Sequence, residues 1–371
     1  MSDSVRLDGP RPAGRKDQPG ALAVANHVLR TLNNHRPPTV GTDWPHVYGP
    51  GNADNILVSA AGSQIVGTVG IWTNEVQLGS ARLKAGGVNC LAVLPEFRRH
   101  GVGAQLMEAA HAHMQQRGCH VGELSTQITA WYRKLGWELA APARTFAFNR
   151  SNIGLLPEPG GRFTFRVAGE EALRDVIRIG AADRLGGVRD LGSFRNVWAA
   201  RGRHGVALAE EDGRPSAYLM GNDRHIVEWA GPAPTLARLL RAWFEGTDNV
   251  KTGASDRDDA FRSLLRTEML LTAPGGGHPF IDLLLGVGIP CSVGYVGMLR
   301  VLNPRAILDA FGLRDIAVAD RGATLEFSRG REGCVLSRPL AAKLLFGPER
   351  VNPFAHDVLP LPFWQWPVEH V

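Results

Sequence analysis

Leu91-Ala92-Val93-Leu94-Pro95-Glu96-Phe97-Arg98-Arg99-His100-Gly101-Val102-Gly103 is the stretch whose reading decides the fold. It begins in an apolar run, Cys90–Leu94, that closes a strand over 82–94. Pro95 ends that strand, because proline has no N–H to give to a sheet ladder. Beyond it Val102, Leu106, Ala109, Ala110, His113 and Met114 recur at helical spacing, which predicts a helix over 101–117 with Gly118 as its C-cap. The turn between strand and helix reads Arg98-x-x-Gly101-x-Gly103. A helix N-terminus leaves amide groups unpaired and carries partial positive charge. Gly101 and Gly103 let the backbone close on an anion, and Arg98 and Arg99 add fork-shaped cationic donors. Together they describe a cradle for a pyrophosphate. No Gly-Lys-Ser/Thr follows, so this is not a Walker A loop, and the spacing is not that of a dinucleotide fingerprint.

Upstream, the chain reads as a helix carrying Leu22, Val24, Ala25, Val28, Leu29 and Leu32, then a Pro/Gly/Asp/aromatic-rich loop over 36–54. A β meander follows, with strands at 56–60, 64–77 and 82–94 turned by Gly62-Ser63 and Gly79-Ser80. Downstream come a strand at 120–125, a short helix at 127–135 ended by Gly136-Trp137, and a closing strand at 145–148. Such an order places the chain in the α+β class, with a mostly antiparallel central sheet.

Two blocks now point the same way. Arg98-x-x-Gly101-x-Gly103 after an apolar strand resembles the cofactor signature of the GNAT acetyltransferase superfamily, and Tyr132-Arg133-Lys134-Leu135-Gly136-Trp137 resembles that family's Tyr-x-x-x-Gly-Phe/Trp block. The resemblance implies acetyl-CoA as cofactor. Leu91, Ala92 and Val93 then pair with the pantetheine arm, and the segment Arg98, Arg99, His100, Gly101, Val102, Gly103 and Ala104 holds the pyrophosphate. Tyr132 takes the place of the acid that protonates the departing thiolate, a role within reach of a phenol. Ser125 and Thr126 end the fifth strand where cofactor or substrate would lie.

After a Pro/Gly-rich linker at 149–161 the strand–helix–hairpin–strand–helix order returns, with strands at 163–167, 206–210, 217–220 and 225–230 and a helix at 235–244. The equivalent of the cradle, Trp229-Ala230-Gly231-Pro232-Ala233-Pro234, has neither arginines nor paired glycines and reads as unable to hold CoA. A third region has a helix at 305–311, a strand pair at 323–327 and 333–336, and a helix at 338–345. The layout resembles the Eis family: a catalytic GNAT domain at 1–149, a degenerate GNAT-like domain at 160–296 and a sterol-carrier-like α/β domain at 297–371. That likeness implies a homo-hexamer and transfer to a primary amine of a small molecule or lysine. It also implies that the terminal carboxylate, here of Val371, enters the first domain's site as proton acceptor. The aromatic tail Phe363-Trp364-Gln365-Trp366 predicts inward packing, and oligomer contact suits it as well. In the 36–54 loop, Asp43, Trp44 and His46 suit a cationic amine, and equally suit capping a helix and filling an apolar gap. A binding protein that senses acyl-CoA or lipid without catalysis is the alternative.

Composition sets outer limits. Four cysteines, Cys90, Cys119, Cys291 and Cys334, stand far apart with no CxxC pair, which excludes a zinc knuckle and fits a reducing, cytoplasmic setting. A net charge of +5 with scattered arginines does not mark a nucleic-acid stripe. No apolar run is long enough to span a bilayer, and the first twenty residues lack the apolar stretch of a secretory signal. His111 and His113, two apart on one helix, do not form a metal pair, and no metal is expected.

Overall fold

The structure, a computed structural model, describes residues 7–33, 37–159, 163–200, 205–211, 213–222, 224–246 and 267–369. Strands β1 (Leu7–Pro12), β2 (Ile56–Ala61), β3 (Gln64–Leu78) and β4 (Ala81–Val93) make an antiparallel meander, with Gly62 and Gly79 turning it at φ of 58° and 65°. The left-handed backbone those turns need costs glycine nothing. Helix α1 (Gln18–Leu29) buries Ala21 and Val24 against Ile56, Val58 and Ile65. The loop read from the sequence folds into two single-turn helices, α2 (Val40–Asp43) and α3 (Pro45–Tyr48). Helix α4 (Val102–Gln116) then packs Val102, Leu106, Met107 and Ala110 on Val69, Ile71 and Val88 of the meander. Strand β5 (Val121–Leu124) and helix α5 (Thr129–Arg133) lead into β6 (Glu138–Asn149), which starts seven residues earlier than the sequence suggested.

Beyond it lie β7 (Phe163–Ala168), α6 (Leu173–Asp183), β8 (Leu185–Gly187), α7 (Leu191–Ala200), β9 (Gly205–Glu211), β10 (Arg214–Gly221), β11 (His225–Ala230), α8 (Ala233–Glu245), β12 (Glu268–Pro274) and β13 (Cys291–Val301). All thirteen strands join one sheet, ordered β1-β2-β3-β4-β5-β13-β6-β12-β11-β10-β9-β7 with β8 on the edge of β3. The β4–β5 and β11–β12 pairs are parallel and the others antiparallel. β8, α7, β12 and most of β13 had no counterpart in the sequence reading, nor had a helix over Pro279–Gly286, and the boundary expected at 296–297 falls inside β13. Gly297 explains part of this. A Cβ there would lie 2.7 Å from the Leu124 carbonyl oxygen, so β13 needs a residue of low strand propensity to approach β5.

A separate three-stranded sheet, β14 (Ala317–Asp320), β15 (Thr324–Arg329) and β16 (Glu332–Ser337), and helices over Pro304–Ala310 and Arg338–Phe346 complete the C-terminal region. From there the chain runs without regular structure back to the large core. Phe363, Trp364, Trp366 and Val368 are buried there, with Trp366 5.3 Å from Trp229, edge to face. Among the described residues no helix is long and apolar enough to cross a membrane, and no group of His, Cys, Asp or Glu is arranged to hold a metal.

Candidate active site

The cradle is built by backbone conformation. Pro95–Phe97 makes one 3-10 turn, Arg99 takes φ 66° and Gly101, the N-cap of α4, takes φ 80°. No side chain caps α4; its first internal bond is Gln105 N–H to Gly101 carbonyl at 3.0 Å. The amides of Val102, Gly103 and Ala104 therefore have no partner in the helix. Arg98 donates its Nε to the Val93 carbonyl at 3.1 Å, so it closes the turn while its terminal nitrogens stay exposed. His100 lies on the rim, its Nδ1 2.8 Å from the Arg98 carbonyl. Gly101→Ala forces a Cβ into left-handed backbone and costs about 1–2 kcal/mol. Urea unfolding measures this, and an unchanged midpoint would contradict the conformation.

Next to the cradle the sheet opens. β4 pairs with β5 at Ala85–Val121, Gly86–Gly122 and Gly87–Glu123 and no further. Past that point β4 bulges: Gly70 of β3 faces Asn89 but Thr68 faces Ala92, so Cys90 and Leu91 together span one β3 residue, and Cys90 has φ 51°. Leu91, Ala92 and Val93 run on beyond the last β4–β5 pair and so offer a free edge on the β5 side. A strand-like molecule can hydrogen-bond along such an edge. The uncapped helix start lies at its end, which fits the pyrophosphate and pantetheine of a coenzyme A group.

Tyr132 lies on α5 with its ring 4.8 Å from Trp131 and 6.5 Å from Trp137, both edge to face. Burial pushes its phenol up to about 12, so it stays protonated throughout the neutral range. Trp131 also reaches the cradle: a Cβ on Gly103 would lie 3.7 Å from its ring. Behind Tyr132, the Trp137 indole N–H donates to His111 Nε2 at 3.0 Å. Burial pushes that imidazole down to about 3 and keeps it neutral, a packing role. Ser125 is exposed just past β5.

The other expected residues divide. Asp43 accepts from Arg30 at 2.6 Å and from Thr39 at 2.7 Å, so its charge is engaged within the loop, and Arg30 also stacks on Trp44 at 5.0 Å. His46 is buried edge to face on Trp72, 5.0 Å between centroids. Cys90 is packed beside Tyr48, and burial pushes its thiol up to about 12, the wrong direction for a nucleophile. Val371 lies outside the described residues. The equivalent of the cradle in the second half is obstructed: the Asp183 carboxylate accepts from Gly231 N–H at 2.8 Å at the start of α8.

Sequence reasoning missed the buried acids. Glu123 is 4% exposed, and burial with the nearby Glu369 pushes its carboxyl up to about 8. Arg189, also buried, holds Glu228 through two bonds of 2.6 and 2.9 Å and Glu369 at 2.6 Å; Tyr218 donates to Glu228 at 2.5 Å. The one available signal was a carboxylate set in the apolar strand Val121-Gly122-Glu123-Leu124.

Residues 10–140 match the family profile described as an acetyltransferase (GNAT) domain. The match covers about a third of the chain and says what this segment is similar to. Over 71 residues, 19% of this chain, it is 39% identical to an uncharacterized N-acetyltransferase of Archaeoglobus fulgidus. The match spans 48% of that protein, so the chain covers about half the length of the curated relative. Among solved structures, a GCN5-related N-acetyltransferase from Kribbella flavida superposes with a TM-score of 0.60 at 20% identity, covering 89% of this chain and 84% of that one. Eis1 from Mycobacterium abscessus superposes at 0.62 and 14% identity, covering 93% and 90%. These structural likenesses extend beyond residues 10–140 and show that the mixed α/β fold with its large, mostly antiparallel sheet is shared nearly end to end.

Proposed function

We propose that the protein is an N-acetyltransferase that moves an acetyl group from acetyl-CoA to a primary amine of a small molecule or a lysine by direct attack. The observation that carries this reading is the continuity of three features: the free edge of Leu91–Val93, the uncapped start of α4 beside it, and the buried phenol of Tyr132 on α5. When bound, acetyl-CoA supplies the thioester carbonyl. The amides of Val102, Gly103 and Ala104, with Arg98 and Arg99, hold its diphosphate. The β4 edge orients the arm, and its N–H groups polarise the carbonyl. Tyr132 gives its hydroxyl proton to the sulfur as the C–S bond breaks. Residues 297–371 act as scaffold and carrier of the tail, in the manner of a sterol-carrier-like region, and the chain works in the cytoplasm as an oligomer.

Thiol release from acetyl-CoA, measured against a panel of amines, tests the reading. Amine-dependent release that falls roughly 100-fold in Tyr132→Phe, with acetyl-CoA affinity retained, is the expected result. Tight CoA binding with no release for any amine would transfer the case to a sensor of acyl-CoA or lipid.

A further inference from the structure

The short strand β8 joins three parts of the chain. Along one edge it pairs with β3 of the first half, Leu185 opposite Leu78, Gly186 opposite Gln77 and Gly187 opposite Val76. Its two glycines leave room for two side chains of the C-terminal tail. A Cβ on Gly186 would collide with the Trp366 ring, and one on Gly187 with the Glu369 carboxylate. Trp366 donates its indole N–H to the Leu185 carbonyl at 3.2 Å, and Arg189, two residues past β8, donates to Glu369 at 2.6 Å. The second half completes the grip from below. Trp229 of β11 meets Trp366 edge to face, and Glu228 beside it takes two bonds from the same Arg189 and one from Tyr218.

A tail that carries Phe363, Trp364, Trp366 and Val368 buries itself without help from charge, and a buried ion pair adds little stability over apolar side chains of the same size. What such a pair adds is register. Glu369 is the only acidic side chain after Asp357, so Arg189 can bond this tail in a single alignment. A cavity of about 240 Å³ depends on that alignment. Trp72 and Asn74 of the first half, Asp190 and Phe194 of the second, and Glu369 of the tail all wall it. Among the described residues, both amide atoms of Asn74 and Oε2 of Glu369 are buried without a hydrogen-bond partner, so the chamber suits a hydrogen-bonding guest. Trp72 shares a row with Gly87 and Glu123, the last β4–β5 pair, and the chamber therefore borders the place where those strands part.

We propose that the second half serves as the receptor for the chain's own C-terminal tail, and that Arg189 is a positioning residue that, through Glu369, sets the tail as one wall of the acceptor side of the site. The receptor stands on the contacts themselves; the positioning role rests on the acetyltransferase reading and deepens it. The second half lost the anion turn and kept the sheet beside it. Asp183, whose carboxylate takes the Gly231 amide at the start of α8, is also the last residue of α6, two residues before β8. One short segment thus closes the turn that could have held a cofactor and begins the clasp that holds the tail. Trp229, two residues before that blocked turn, is where Trp366 seats. An amine that reaches the parted strands from this face meets the tail as part of its enclosure. Displacing the tail should then weaken amine binding and leave acetyl-CoA on its own cradle.

Gly187→Ala tests this without altering a charge. Gly186 has φ 97°, but Gly187 is not left-handed, so alanine suits its backbone and the atoms nearest the new methyl are those of Glu369. Gly294→Ala, on β13 with nothing within 4 Å of its methyl, is the control. Hydrogen exchange of the full chain should rise on the order of 10-fold over residues 363–369 in Gly187→Ala and in Arg189→Met, and stay at the wild-type rate in the control. Thiol release from acetyl-CoA, measured with phenethylamine, spermine and kanamycin, should show the amine KM of Gly187→Ala raised roughly 10-fold, with acetyl-CoA affinity unchanged by calorimetry. A pair that only stabilised the fold would lower the melting temperature and leave that KM alone. Tail exchange at the wild-type rate in Gly187→Ala overturns the receptor. Faster exchange with a wild-type amine KM, or with acetyl-CoA affinity lost as well, overturns the positioning role. Absence of release from wild type with every amine removes the acetyltransferase reading and the positioning role with it, while the exchange rates still decide the receptor.

Discussion

Arg189→Met lowers the stability of the fold by about 3–5 kcal/mol, the cost of removing one partner from a buried ion pair. Arg189 is enclosed by the tail and by β11, and among the described residues its guanidinium is the one cation bonded to Glu228 and Glu369. Methionine fills much of the volume but leaves two carboxylates in the core. Glu369, whose carboxyl burial already pushes up, must then protonate to stay there, which raises its folded pKa further above the unfolded value. A carboxyl so raised withdraws stability as pH climbs from its unfolded pKa to its folded one, so the variant's deficit is largest at alkaline pH and shrinks toward pH 5. Thermal melting should show a fall on the order of 10 °C near neutrality. A melting point equal to wild type at every pH would mean that Arg189 does not neutralise these acids. Because Glu369 belongs to the tail, the variant should also loosen the last residues from the site, which limited proteolysis detects.

Glu123→Gln should do the reverse: it stabilises the protein above pH 8 by a few kcal/mol and changes nothing at pH 4. Glu123 titrates at about 8 in the fold against an ordinary 4.5. Below 4.5 both folded and unfolded chains hold the proton, and the group costs nothing. Between those values the unfolded chain ionises and the folded one does not, so stability drains away; above 8 the full cost is present. Glutamine never ionises and escapes it. Denaturant melts of both proteins at acid and alkaline pH measure the difference directly, and parallel curves would rule out the buried carboxyl.

The difference between what the sequence revealed and what it hid is physical. Arg98, Gly101 and Gly103 were legible because a strand-to-helix turn that closes on an anion restricts which residues can stand where: Gly101 has left-handed backbone, and α4 starts without a cap. Tyr132 was legible through its spacing to Gly136, whose φ of 85° ends the short helix. Glu123 was only faintly so: one carboxylate in a short apolar strand hints at burial but does not say what comes beside it, and Glu369 does so from the far end of the chain. The same holds for β13, which carries Gly294 and Gly297 and lacks a strand's side-chain pattern until β5 is placed against Gly297. The α2–α3 loop shows the opposite limit. Asp43 and Trp44 carry the right chemistry for a cation, and the cation they meet is Arg30 of the same chain.

The place of β13 in the sheet also bears on how the chain is made. It sits between β5 and β6, two strands that follow one another closely near residue 130, yet it is itself complete only at Val301. On a ribosome adding about 5–20 residues per second, β5 and β6 wait on the order of ten seconds or more for the strand that joins them. Through that interval each has an unmatched edge facing the other, and direct pairing between them is a local trap that must be undone before the late strand can enter. The residues that discourage such early closure, rather than those that stabilise the finished sheet, then decide how much of the newly made protein reaches its working form.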